Sequence, residues 1–188
     1  MAREEVQTVC DALSRGLLTA QSLGARSIAK LLGRTTGLLY HHWGSLDGFL
    51  LEVAHLGWQR LATDLAPKAQ GPLADLAEGY LQFAFDHPAL YHLMAERRLD
   101  WARLRVEGRL SQGASLDMWD AVAARLEHAG STNPSEDARL LYAGLHGLAS
   151  LALSGRANVR DIDTTDQEVA VRAARHLVDR LTPSTQET

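Results

Sequence analysis

Residues 24–43 read GARSIAKLLGRTTGLLYHHW, and this stretch decides the fold. Ala25, Ile28, Ala29 and Leu32 share one face at i, i+3, i+4 and i+7, the spacing of an amphipathic helix. Gly33 is placed to end that helix, because glycine adopts a left-handed turn without steric penalty. Thr35 or Thr36 is then expected to cap a second helix with its hydroxyl. In that helix Leu39 and Trp43, four residues apart, face inward, while Thr36, Gly37, Tyr40 and His41 lie together on the opposite face. Two short helices joined by a glycine-containing turn form a helix-turn-helix, whose second helix can enter a DNA major groove.

Helical periodicity continues almost everywhere else in the chain. Val6, Val9, Cys10, Leu13 and Leu17 mark a first helix, and a long one is expected from about residue 46 to 66. Leu73, Leu76, Ala77, Tyr80, Phe83 and Ala84 trace another, followed by a short segment that starts at Pro88, a residue suited to a first helical position. Trp119, Val122, Ala123 and Leu126 give the next, closed by Gly130. Asn133-Pro134-Ser135-Glu136 and Thr165-Asp166-Gln167-Glu168 read as helix starts with capping residues. No stretch alternates with period two. The expected fold is all-α, with about nine helices.

Composition narrows the class. The chain has 188 residues, 46% of them hydrophobic and 22% charged, with a formal net charge of −4. A chain of this length buries roughly 70% of its unfolded surface and needs no metal or disulfide to fold. The one cysteine, Cys10, has no internal partner, so a reducing, cytoplasmic setting is expected. The opening residues MAREEVQTVCDALSRGLL carry acids early and no uninterrupted apolar run, so no signal peptide is expected. The most apolar stretch, residues 140–153, is shorter than the roughly 20 residues a membrane span needs.

Chemistry-bearing motifs are sparse. No phosphate loop, nucleophile elbow or paired zinc-ligand motif occurs, so no catalytic residue, metal or cofactor is expected. His41 and His42 are adjacent, and adjacent helical side chains diverge by about 100° and seldom share an ion. His87, His92 and His146 read as hydrogen-bonded structural residues rather than an acid–base set. The arginines at 97, 98, 103, 105 and 109 read chiefly as a solvated helix face or loop, with a cationic wall for an anionic ligand as the sharper reading.

The run GLLYHHWGSLDGFLLEV, residues 37–53, resembles the signature of TetR (tetracycline repressor-like) transcriptional regulators. In that family a Leu-Tyr-His-Phe-type motif closes the recognition helix. Leu39, Tyr40, His42 and Trp43 occupy those positions, with Trp43 where Phe is usual, and Ser45 then starts the long fourth helix. YLQFAFDHPALYHLM and LHGLASLALSGR are similar to one TetR ligand-domain subtype with a His-Gly pair in its eighth helix, here His146-Gly147. The sequence departs from the family at Gly24, where Ser or Thr caps the second helix, at Arg34, where an apolar residue is usual, and at Leu46, which replaces a phosphate-contacting Lys.

The resemblance implies a DNA-binding domain over residues 1–46, its motif at 24–43, and a ligand-binding and dimerisation domain over 47–188. Expected DNA contacts are Arg26, Arg34, Thr35, Thr36, Gly37, Leu38, Tyr40 and His41. Thr35 and Thr36 would meet phosphate at a helix start. Tyr40 matches the family's phosphate-contacting tyrosine, Leu38 suits a thymine methyl, and Arg34 can stand in for the missing Lys. Residues 1–60 hold six basic side chains against five acidic ones, leaving only +1, a weak footprint for a nucleic-acid binder.

Two further groups complete the expectation. Ala143, Gly147, Ser150 and Ser154 form a strip of small residues, and Val169, Ala173, Leu177 and Leu181 repeat every four. Together they predict a two-fold, four-helix dimer interface. Trp58, Tyr80, Phe83, Tyr91, Met94, Trp119, Tyr142 and His146 are expected around an apolar pocket for a small apolar or aromatic effector, with His146 as polar anchor. The function so read is a ligand-responsive homodimeric regulator, a repressor released from a palindromic site on double-stranded DNA. The alternative is a helical small-molecule-binding module or enzyme that keeps the architecture without DNA recognition.

Overall fold

The computed structural model describes residues 2–107, 114–159 and 163–182. Among them the chain is helical with no strand, as expected. The helices are α1 (Ala2–Ser14), α2 (Ala25–Leu31), α3 (Gly37–Trp43), α4 (Leu46–Leu65), α5 (Leu73–Asp86), α6 (Pro88–Tyr91), α7 (Trp101–Val106), α8 (Ala114–His128), α9 (Pro134–Leu153) and α10 (Asp166–Leu181). Short 3-10 turns cover Ala20–Ser22 and Ala66–Lys68, and α6 runs on into a π-helical turn, His92–Glu96. Among the described residues ten helices form, against about nine expected, because α7 forms within the arginine-rich stretch. Arg109 and the side chain of Arg105 lie outside the described residues. None of the described helices is long and apolar enough to cross a membrane.

The chain divides into two compact units, residues 1–61 with 86–113, and residues 62–85 with 114–188. In the first, α1 buries Val6, Val9, Cys10 and Leu13. Gly16, at φ +68°, ends the helix, and Leu17 donates its N–H back to the Ala12 carbonyl at 2.8 Å. Leu17 therefore sits past the helix end and exposed, not on its buried face. The reason is the left-handed glycine, which turns the chain one step earlier than the periodicity suggests. In α4, Phe49, Leu50, Leu51, Val53 and Ala54 are all buried, so that helix is enclosed on more than one side. Gly57 lets the Met94 thioether approach: a Cβ there would stand 2.6 Å from its sulfur. Arg60 of α4 pairs with Asp11 of α1 and donates to the Ser14 hydroxyl at 3.0 Å, while His87 Nδ1–H donates to the Ser14 carbonyl at 2.9 Å.

In the second unit α9 packs against both α8 and α10. Leu126 of α8, Ala138, Leu141, Leu145 and Ala149 of α9, and Ala170, Ala174 and Val178 of α10 are buried. The capping box at Thr165 is present: its N–H donates to the Glu168 carboxylate at 2.8 Å, and the Glu168 N–H donates to its hydroxyl at 3.2 Å. Hydrogen bonds from the Thr165 backbone and side chain hold the Glu168 carboxyl below its ordinary range. Gly130, at φ +93°, closes α8 as expected. Asn133 departs from expectation, because its side chain makes no capping bond. Its carbonyl accepts from Glu136 and Asp137 N–H instead, and Ser131 bonds Asp137 at 2.5 Å. Arg175 of α10 pairs with Glu78 of α5 and pulls the Glu78 carboxyl below its usual range.

Candidate nucleic-acid interface

Local backbone chemistry sets the α2–α3 geometry. The Leu32 N–H donates to the Ile28 carbonyl at 3.0 Å, Gly33 takes φ +61°, and the Arg34 N–H reaches back to the Ala29 carbonyl at 2.9 Å. That pair of reaching-back bonds around a left-handed glycine is what closes a helix sharply. Thr36 then starts α3, but neither its hydroxyl nor that of Thr35 caps it. The Thr36 backbone is already helical, at φ −59° and ψ −28°, whereas a hydroxyl cap needs an extended residue. The carbonyls of Thr35 and Thr36 accept from Leu38 and Leu39 at 3.2 and 3.1 Å instead.

The inward face of α3 is as its spacing predicts. Leu39 is 1% exposed and Trp43 8%, and the Trp43 ring meets Phe49 edge-on at 4.7 Å. Gly44, at φ +74°, stops the helix. On the outer side Gly37, Tyr40 and His41 are exposed, Tyr40 to 54%, while Thr36 and Leu38 are half-buried. Thr35, Arg26 and Arg34 are exposed as well. All eight expected contact residues thus fall on α2, the turn or α3, and none is buried. Lys30, exposed on α2, is not in the expected set, although its i+4 spacing from Arg26 places both cations on one helix face.

Beneath this surface lies Glu5 of α1. It is buried, and neither carboxylate oxygen has a hydrogen-bond partner. Arg34 Nε stands 3.8 Å from Glu5 Oε1.

The residues expected around an effector divide between the units. Trp58, the fully buried Tyr91 and the buried Met94 belong to the first, and the other five to the second. In the second unit Tyr142 is the centre of an aromatic cluster. Its ring lies 6.2 Å from Tyr80 and 5.2 Å from Trp119, both edge-on, and stacks on His146 at 6.3 Å. Burial pushes the Tyr142 phenol above its usual range. Phe83 is buried on α5. A groove of about 520 Å³ opens elsewhere in the same unit, lined by Pro72, Leu73, Ala124, Arg125, His128 and Val178 among others, and shares none of the expected residues. The guanidinium of Arg125 is engaged there by the carbonyls of Ala69 and Gly71. In the first unit Arg97 pairs with Asp47 at 2.9 Å and Arg103 with Glu107 at 3.0 Å, so these arginines have carboxylate partners.

Of the residues expected at a dimer interface, Ala143 of α9 and Ser154, just past its end, are exposed, and Gly147 and Ser150 of α9 are half-buried. Apart from its chain neighbours and its own helix backbone, nothing comes within 4 Å of where a Gly147 Cβ would stand. Leu140 and Leu151, also exposed, fall on the same stripe. Their i, i+3, i+7, i+11 register with Ala143 and Gly147 is the signal that could have revealed them. On α10, Val169, Ala173, Leu177 and Leu181 are half-buried. Leu177 lies against Gly144 of its own chain.

Residues 73–181, more than half of the chain, match the family model described as tetracyclin repressor-like, C-terminal domain. The chain therefore belongs to the tetracyclin repressor-like family of transcriptional regulators. Among solved structures, the TetR family transcriptional regulator PfmR from Thermus thermophilus is similar over 97% of this chain and 99% of that one. Its TM-score is 0.57 at 16% sequence identity, a likeness of fold. No curated protein matches the sequence.

Proposed function

We propose that this regulator is a homodimeric repressor that binds a palindromic site on duplex DNA and is released by a small apolar or aromatic effector. The observation that carries the reading is α3 itself: it buries Leu39 and Trp43 and leaves Tyr40 and His41 outward, beside the exposed cations Arg26 and Arg34. Such a helix can lie in a major groove with its outer face on phosphates and base edges. Residues 1–46 serve as the reader and 47–188 as the effector and dimer domain. Thr35, Thr36 and Tyr40 take phosphate, with Arg34 in place of the missing Lys and Arg26 as a further contact; Gly37 and Leu38 come nearest the bases, and His41 lies at the backbone or a base edge. Membership of a family of regulators supports a binding role rather than an enzymatic one.

Two-fold pairing is supported by the outward stripe of Leu140, Ala143, Gly147 and Leu151, since soluble monomers seldom leave contiguous apolar patches exposed. The effector is held by the aromatic side chains, with Tyr142 and His146 as polar tips. Release requires only that the effector favour a dimer whose recognition helices no longer match the DNA repeat of roughly 34 Å. The experiment is a duplex-binding titration of the purified protein with and without a panel of small aromatic compounds. A compound that both raises the melting temperature and abolishes binding supports the switch. Binding that no compound alters refutes effector control, and no binding at low salt refutes the reader.

A further inference from the structure

Among the described residues Glu5 is the one buried charged residue; its side chain is 8% exposed and both carboxylate oxygens are buried. A buried carboxylate is costly unless it is paired and hydrogen-bonded. Glu5 has no hydrogen bond, and its one ionic neighbour, Arg34, stands at 3.8 Å, beyond hydrogen-bond reach. Arg34 in turn is 53% exposed and lies in the α2–α3 turn, next to the threonines that begin the recognition helix. One cation therefore sits between two anions: the carboxylate underneath it and, on the DNA-binding reading above, a phosphate outside it. Its position is also fixed locally, because the Arg34 N–H is tied to the Ala29 carbonyl.

We propose that Glu5 is a positioning residue that limits duplex affinity by holding Arg34 in competition with DNA phosphate. Each phosphate contact requires the guanidinium to leave a carboxylate that has nothing else to compensate it. An exposed ion pair would be of little consequence; this one is half-buried, and its acid cannot turn to water. The proposal rests on the reader binding DNA at all, and the test separates the two.

The probe is a mixed-sequence duplex, because phosphate attraction is independent of sequence. Wild type, Glu5→Gln, Glu5→Met, Arg34→Gln and the double variant Glu5→Gln with Arg34→Gln are titrated across a salt series, with circular dichroism to verify helicity. Both Glu5 variants should bind roughly threefold or more tightly at low salt, and the slope of log K against log salt should steepen by about 0.9, one phosphate contact. In the Arg34→Gln background the gain from Glu5→Gln should vanish. An unchanged or weakened affinity in the Glu5 variants overturns the proposal, as does a gain that persists without Arg34. Loss of helicity in both Glu5 variants overturns it too, since a mere restraint is dispensable to the fold. If wild type and all variants fail to bind, the DNA-binding reading falls with it; wild-type binding without the gain removes only the role of Glu5.

Discussion

Gly48, in the first turn of α4, stands directly against the backbone carbonyl of Trp43, the last residue of α3. The same glycine donates its N–H to the Ser45 hydroxyl at 2.9 Å, which caps α4. Between them, the bare glycine and the serine cap fix where α3 ends and α4 begins. A Cβ at position 48 would run into a backbone atom that no rotamer change can move. Gly48→Ala should therefore lower stability by about 1–3 kcal/mol, the range for overpacking, despite the better helix propensity of alanine. Thermal unfolding checks this; a neutral or stabilising effect would show that the α3–α4 junction is slack.

Tyr40 projects from α3 with 54% of its surface open. Tyr40→Phe removes one hydroxyl and no packing, so the melting temperature should stay put. Duplex affinity should fall by about 1 kcal/mol, roughly fivefold, and to a similar degree on specific and mixed-sequence DNA, as expected of a phosphate contact. Equal affinity for both proteins would take Tyr40 off the interface.

Cys10 is fully buried in α1, and burial pushes its thiol from 9.0 up to about 11, with Arg60 pulling it partly back. Only the thiolate alkylates readily. Labelling of the native protein near pH 8 should be slow and should accelerate once denaturant opens the fold. The sign of the pH effect follows from the folded state holding the proton more tightly. Stability from this group is full below about pH 9 and is lost as pH rises through 11. Fast native labelling would place the thiol outside the core.

Gly147 faces open space within its own chain, between exposed Leu140, Ala143 and Leu151. Gly147→Trp should leave the helical fold intact yet yield a monomer at micromolar concentration, where the proposed two-fold pairing keeps wild type dimeric. Light scattering reads both masses. A dimer that tolerates the tryptophan would place the interface elsewhere.

The parts of this structure that are legible in the sequence are those governed by short-range rules. Helix stripes such as Ala25, Ile28 and Ala29, the left-handed Gly33 and Gly130, and the Thr165 capping box follow from spacing and backbone preference alone. Side-chain caps at Thr36 and Asn133 are expected from residue type and do not form, because each depends on the conformation its neighbours impose. Leu177 shows the limit for packing. Its four-residue repeat with Ala173 and Leu181 marks an apolar stripe, but nothing local tells that it rests on Gly144 of the same chain. Glu5 is hidden for the same reason: an acid in a first helical turn reads as solvated until the fold closes over it.

A two-fold reader built on α3 would select its own site from a random pool of duplexes offered to the full chain at low salt. An inverted repeat should be enriched, its half-sites centred about one helical turn apart or a multiple of it. Recovery of unenriched sequence, or of a single half-site with no symmetry, would contradict it.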